Sequence, residues 1–149
     1  MTVKGWMRMM NRILVLYEKS QLQTPYYAAI QTETGFLFHY CYNFWKGNGV
    51  DEREFQRSVK VPGPKDFVIE RAQILEKRLY VPAPRNPLRG RGTGYGGSGP
   101  GYCGYIDLRT EEKTYHFLIL SNYRGNIHTE AELRRFFDVS DAEMITPAK

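Results

Sequence analysis

Acidic side chains are missing from one continuous stretch of this 149-residue chain: between Lys77 and Ile106 there is no Asp or Glu. The same stretch holds five basic residues (Lys77, Arg78, Arg85, Arg89 and Arg91), which equals the whole formal net charge of +5. The remainder is electrically balanced. Cysteine is scarce, with Cys41 and Cys103 alone. Two thiols exclude a disulfide framework, and they lack the spacing of a zinc knuckle, so free thiols and a cytoplasmic location are expected. Long apolar runs are lacking as well. None reaches the roughly 18 residues of a spanning helix, and Met1 to Met10 has no apolar centre of signal-peptide length. A membrane partner is therefore not expected. The periodic pattern begins only at Ile13, which leaves residues 1–11 as an optional extension of a single domain spanning 1–149.

Aromatic residues are abundant, 14% of the chain with eleven Tyr and eight Phe. Aromatic side chains suit the pleated surface of a sheet. Ile13 to Tyr17 and Tyr26 to Ile30 read as strands, and Thr32-Glu33-Thr34-Gly35 as a hairpin turn. In the next segment Phe36, Phe38, Tyr40, Tyr42 and Phe44 alternate with Leu37, His39, Cys41, Asn43 and Trp45. Both faces are apolar, so this strand should be covered on both sides.

Asp51 to Val61 fits a helix turn or an alternating strand, and Phe55, Arg57, Val59 and Val61 favour the strand. Past Pro62-Gly63-Pro64, the spacing of Val68, Ala72, Leu75 and Leu79 predicts a helix over 65–80. Tyr105 to Leu108 and Thr114 to Ser121 read as a hairpin pair of strands. Thr129 with Glu132, and Ser140 with Glu143, form two capping boxes that open short C-terminal helices. The expected fold class is α+β: a mainly antiparallel sheet packed by one longer helix, with short helices at the end and a long Gly/Pro/Arg-rich loop.

That loop, Pro82 to Tyr105, contains eight of the fourteen glycines and four of the eight prolines. Gly92-Thr93-Gly94-Tyr95-Gly96-Gly97 spells the dinucleotide fingerprint G-x-G-x-x-G, but Ser98-Gly99-Pro100-Gly101 follows where a helix must start, so the phosphate-binding mechanism fails. No nucleotide cofactor is expected. Arg89-Gly90-Arg91-Gly92 is similar in composition to one unit of the arginine–glycine repeats of disordered RNA-binding tails. Arg85, Arg89 and Arg91 offer forks for anionic groups, and Tyr95, Tyr102 and Tyr105 offer stacking or hot-spot area. The competing reading is a solvated surface loop.

Other constellations are sparser. Cys103 and His116 make a thiol–imidazole pair of the kind that a small enzyme uses as nucleophile and base, with the loop as a lid and Asp107 as the nearest orienting acid. His39 and Cys41 share a strand face, and His128 is the remaining histidine. A core histidine hydrogen-bonded within an aromatic sheet accounts for His39 better than a metal ligand does. Asp51, Glu52 and Glu54 sit among Arg53 and Arg57, and Glu111-Glu112 falls at a hairpin tip, both reading as surface charge. The aromatic stripe from Phe36 to Phe44 reads as core rather than as a base-stacking platform.

The sequence thus points to a small non-enzymatic regulatory or accessory protein. It would bind the acidic surface of a nucleic-acid-handling protein machine, for example as a phage- or plasmid-type modulator of RNA polymerase and transcription, or bind single-stranded nucleic acid itself. No helix-turn-helix or finger pattern supports duplex reading.

Overall fold

The computed structural model describes residues 12–17, 24–43, 51–82, 102–120 and 128–145, excluding the side chains of residues 42, 43, 102 and 103. The elements run β1 (Ile13–Tyr17), β2 (Pro25–Gln31), β3 (Gly35–Asn43), α1 (Glu52–Lys60), β4 (Phe67–Glu70), β5 (Glu76–Tyr80), β6 (Tyr102–Arg109), β7 (Thr114–Leu120) and α2 (Glu130–Phe137). The strands form one antiparallel sheet in the order β4-β3-β2-β1-β7-β6-β5. This is the α+β arrangement with mainly antiparallel sheet. Among the described residues no helix is long and apolar enough to cross a membrane.

The strand order has a geometric consequence. β4 and β5 are the two outermost strands, yet the chain leaves β4 at Glu70 and enters β5 at Glu76. Six residue steps reach at most about 21 Å, whereas a flat seven-stranded sheet is about 29 Å wide. The sheet must therefore curl until its edges approach. Ile69 of β4 and Leu79 of β5 accordingly belong to the same buried cluster, with Ile13, Val15, Phe36, Phe38, Ile106 and Phe117. Hydrogen bonds fix the connection at both ends, from the Arg71 amide to the Thr34 carbonyl (2.7 Å) and from the Leu75 amide to the Arg109 carbonyl (2.7 Å).

The second helix helps to fill the curled interior. Thr129 caps it, accepting from the Glu132 amide (3.1 Å) while Glu132 accepts from the Thr129 amide (2.8 Å). Its one apolar side carries Leu133, Phe136 and Phe137 inward, with the two Phe rings 6.0 and 5.6 Å from Phe36. Asp138 ends it in the left-handed conformation (φ 56°), and Lys77 donates to the carbonyls of Phe137 (3.2 Å) and Asp138. Ser140 and Glu143 cap a 3-10 turn over Asp141–Glu143. The Ile145 amide then donates to Leu79 O (2.8 Å), beside a parallel bridge between Leu79 and Met144 on the free edge of β5.

Within β3 the two faces part as the alternation predicts. Phe36 and Phe38 turn to the curled interior, and Leu37 and Cys41 turn outward to a second cluster with Leu14, Leu16, Ala28 and Phe55 of α1. Gly35 permits the preceding hairpin to close against β4, because a Cβ there would lie 2.2 Å from Ile69 O.

Two expectations are overturned. Residues 65–80 do not form a long helix: they make β4, a 3-10 turn at Arg71–Gln73 and β5. The supposed apolar stripe is largely in solvent, with Val68 36% and Leu75 53% exposed, and the buried residues are Ile69 and Leu79. Pairing of β4 with β3 and of β5 with β6 outweighs a weak helical period. Conversely, Asp51 to Val61 is a helix rather than a strand. Asp51 Oδ1 accepts from the amides of Arg53 (3.0 Å) and Glu54 (3.2 Å), acids fill the first turn, and Arg57 and Lys60 fill the last. Those features satisfy the orphan amides and oppose the helix dipole at both ends.

Candidate interface on the outer sheet face

The outer face of the sheet is divided. Over β1, β2 and β3 it is apolar and covered by Phe55 and Val59 of α1. Over β5, β6 and the start of β7, no described element covers it. Three cross-strand rows lie there: Tyr80–Tyr105–Leu118, Arg78–Asp107–His116 and Glu76–Arg109–Thr114. Leu79, Ile106, Leu108 and Phe117 alternate with these residues and point to the core. Strand pleat alone therefore sorts apolar from polar side chains here.

Rings form a ladder across the three strands. Tyr80 and Tyr105 stack with centroids 5.2 Å apart at 26°, and Tyr105 meets His116 at 4.8 Å and 46°. Tyr80 and Tyr105 are half-buried and His116 is exposed. Asp107 Oδ1 holds His116 Nδ1, which orients the imidazole. Arg109 Nε donates to Glu76 (3.2 Å). Arg78 is exposed beside Asp107 in the middle row. The charged residues of the face are thus mostly matched in sign, and its distinctive content is aromatic area plus guanidinium.

Gly104 sets how closely β5 approaches. It follows the bulge between Tyr102 and Gly104, has φ +144°, and a Cβ there would lie 2.1 Å from Tyr80 O. The bulge and the glycine stand where the Gly/Pro/Arg-rich segment enters β6, next to the ladder.

Of the residues singled out from sequence, Tyr105 and His116 fall on this face and touch each other. Tyr102 and Cys103 belong to β6 by backbone, but their side chains lie outside the described residues, as do Arg85, Arg89, Arg91 and Tyr95 entirely. Reading 65–80 as a helix concealed Arg78 and Tyr80; the alternation of Arg78 and Tyr80 with Leu79 was the signal available. Asp107 does orient His116.

The remaining candidates sit elsewhere. His39 is buried and its Nδ1 lies 3.0 Å from Asp66 Oδ1, the hydrogen-bonded core histidine expected. The Sγ of Cys41 donates to His39 O (3.5 Å), and burial pushes the thiol up to about 12. His128 is held below the usual imidazole range by burial. Among the described residues no three of His, Cys, Asp and Glu come together in a way that holds a metal. Phe36 and Phe38 are fully buried, so the aromatic stripe is core at those positions, though its covering helix is α2. Tyr42 and Phe44 lie outside the described side chains. Glu111 and Glu112 are exposed between β6 and β7.

Comparisons with protein-family models, with curated proteins and with solved structures find no match to this chain.

Proposed function

We propose that this chain is a non-enzymatic binding protein. Its working surface is the face of β5, β6 and β7 that no described element covers, together with the basic segment that joins β5 to β6. The partner is an acidic protein surface on a machine that handles nucleic acid, for example RNA polymerase. The observation that carries the reading is the Tyr80–Tyr105–His116 ladder on a sheet face that no described element covers. Tyr and Arg are the residue types that dominate binding energy at protein interfaces. Arg109 is paired with Glu76, which leaves Arg78 as the guanidinium of the described face without an ion pair among the described residues. Arg78, Arg85, Arg89 and Arg91, in a stretch without acids, supply the attraction to an acidic surface.

The test is affinity capture from cells of origin with and without nuclease. A protein that stays bound after nuclease, and is lost with Arg89→Glu plus Arg91→Glu and with Tyr105→Ala, supports the reading. If every partner is lost with nuclease and log affinity falls with log salt by about 0.7 per phosphate contact, the partner is single-stranded nucleic acid. The proposal fails if all the variants bind as the parent does.

The Asp107–His116 contact favours one second reading, an enzyme in which Asp107 orients His116 as base for Cys103. Replacement of Cys103 with Ser separates the two: the binding protein keeps its activity and the enzyme loses it.

A further inference from the structure

The outer face of β5 and β6 is built from three directly opposed pairs: Tyr80 with Tyr105, Arg78 with Asp107 and Glu76 with Arg109. Each pair joins either two rings or two opposite charges, so the six residues together are neutral. All six are at least partly exposed, and no described element covers them. Within the chain Tyr80 and Tyr105 stack at 5.2 Å, and Arg109 Nε meets Glu76 at 3.2 Å. Arg78 is exposed and has no ion pair among the described residues. Asp107 accepts from His116 and still keeps 27% of its side chain exposed.

This pairing makes the face complementary to itself. A two-fold axis along the strands, midway between β5 and β6, lays each strand over the other strand of a second copy. Arg78 then stands opposite Asp107 of the second copy and Glu76 opposite Arg109, while Tyr80 meets Tyr105. No like charges are set directly against each other. An axis across the strands, over the middle row, would instead set Arg78 against Arg78 and Asp107 against Asp107. Facing sheets pack about 10 Å apart, a gap that Tyr, Arg and Glu side chains from both copies fill.

We propose that the β5–β6 face is an isologous contact between two copies of this chain. Tyr80 and Tyr105 anchor it, and the Arg78–Asp107 and Glu76–Arg109 cross-pairs set its orientation. The outside of a curled sheet is convex, so contact is confined to these rows, short of the about 800 Å² per partner of a standard interface. The dimer is therefore of the weak, concentration-dependent class. It covers the face assigned above to an acidic partner, so the two occupants compete for it. The self-contact rests on the charge pattern and the rings alone, and does not depend on that partner.

The test is sedimentation velocity of the purified chain at low salt, from about 10 μM to about 1 mM, the affinity range of small contacts. A reversible monomer–dimer shift is expected. Arg78→Asp, at an exposed position, should weaken it about tenfold or more with the amide spectrum otherwise preserved. Glu76→Arg and Arg109→Glu, both at positions about half-exposed in the parent, give the decisive arm. Each alone should be monomeric, because like charges then oppose across the axis. Mixed together they should associate, because opposite charges again face each other in both cross-pairs. A parent chain that stays monomeric to about 1 mM, dimerisation unchanged in Arg78→Asp, or a mixture no more associated than its components overturns the proposal. These measurements contain no partner, so their failure leaves the nuclease-resistant capture standing, and failure of the capture leaves the dimer standing.

Discussion

Asp66 shows how one side chain joins parts of the chain distant in sequence. Its carboxylate accepts from two backbone amides and from His39, and the side chains of the pair are 4% and 6% exposed. Asp66→Ala would strand all three donors in a poorly hydrated site, and a loss of about 3–5 kcal/mol in urea unfolding is expected. Asp66→Asn keeps an acceptor oxygen and should lose less. Cys41 behaves as an apolar residue: with the thiol pushed up to about 12 by burial, the thiolate is scarce at neutral pH. In a Cys103→Ser background, iodoacetamide should label Cys41 only under unfolding conditions, and rapid labelling of the native protein would contradict its burial. Two groups make stability fall in acid. Glu132 is held below the usual carboxylate range, first by the Thr129 amide, and His128 is lowered by burial. Both folded-state values are depressed, so the unfolded chain takes up protons first. Stability is full above the unfolded values and should fall from about pH 6.5 as His128 titrates, then again below about pH 4.3 as Glu132 does. Glu132→Gln should flatten the lower limb of the unfolding curve.

The short helices illustrate local signals that survive folding. Thr129 with Glu132 and Ser140 with Glu143 mark the starts of α2 and the 3-10 turn, as their spacing predicts, because a capping box needs only residues within one turn. Thr129→Ala should lower stability by about 1 kcal/mol, and Phe137→Ala, which removes a fully buried ring beside Phe36, by about 3–5 kcal/mol. The two misread elements show the opposite case. Val68, Ala72, Leu75 and Leu79 have helical spacing, but helix and strand readings of a sparse apolar pattern differ by little, and the partners that decide between them are remote. β4 finds β3 some thirty positions earlier, and β5 finds β6 across the glycine-rich segment. Gly104→Ala tests that last contact: the positive φ and the Tyr80 carbonyl both oppose a methyl group, so stability should drop by at least about 1–3 kcal/mol. An unchanged midpoint in denaturant would mean that β5 does not lie this close to β6.

The curl of the whole sheet separates two kinds of surface, and this division locates the candidate interface. Edges that approach across the Arg71–Leu75 connection enclose one cluster, α1 covers the outside over β1, β2 and β3, and no described element covers the part that carries the ring ladder. A short Gly/Ser spacer in place of residues 83–101 should abolish partner capture, read on protein whose unfolding midpoint matches the parent's. Retained capture would place the working surface elsewhere.

Composition and local spacing alone established the antiparallel aromatic sheet, the two-sided burial of β3, the capping boxes and the charge imbalance between Lys77 and Ile106. Each follows from alternation, turn chemistry or simple counting, all of which act over a few residues. The fate of 51–80, the pairing of His39 with Asp66 and of His116 with Asp107, and the emergence of Tyr80 beside Tyr105 came from contacts between strands far apart in the chain. A strand's exposed face is set by what packs over it, and no residue carries that information in its own neighbourhood.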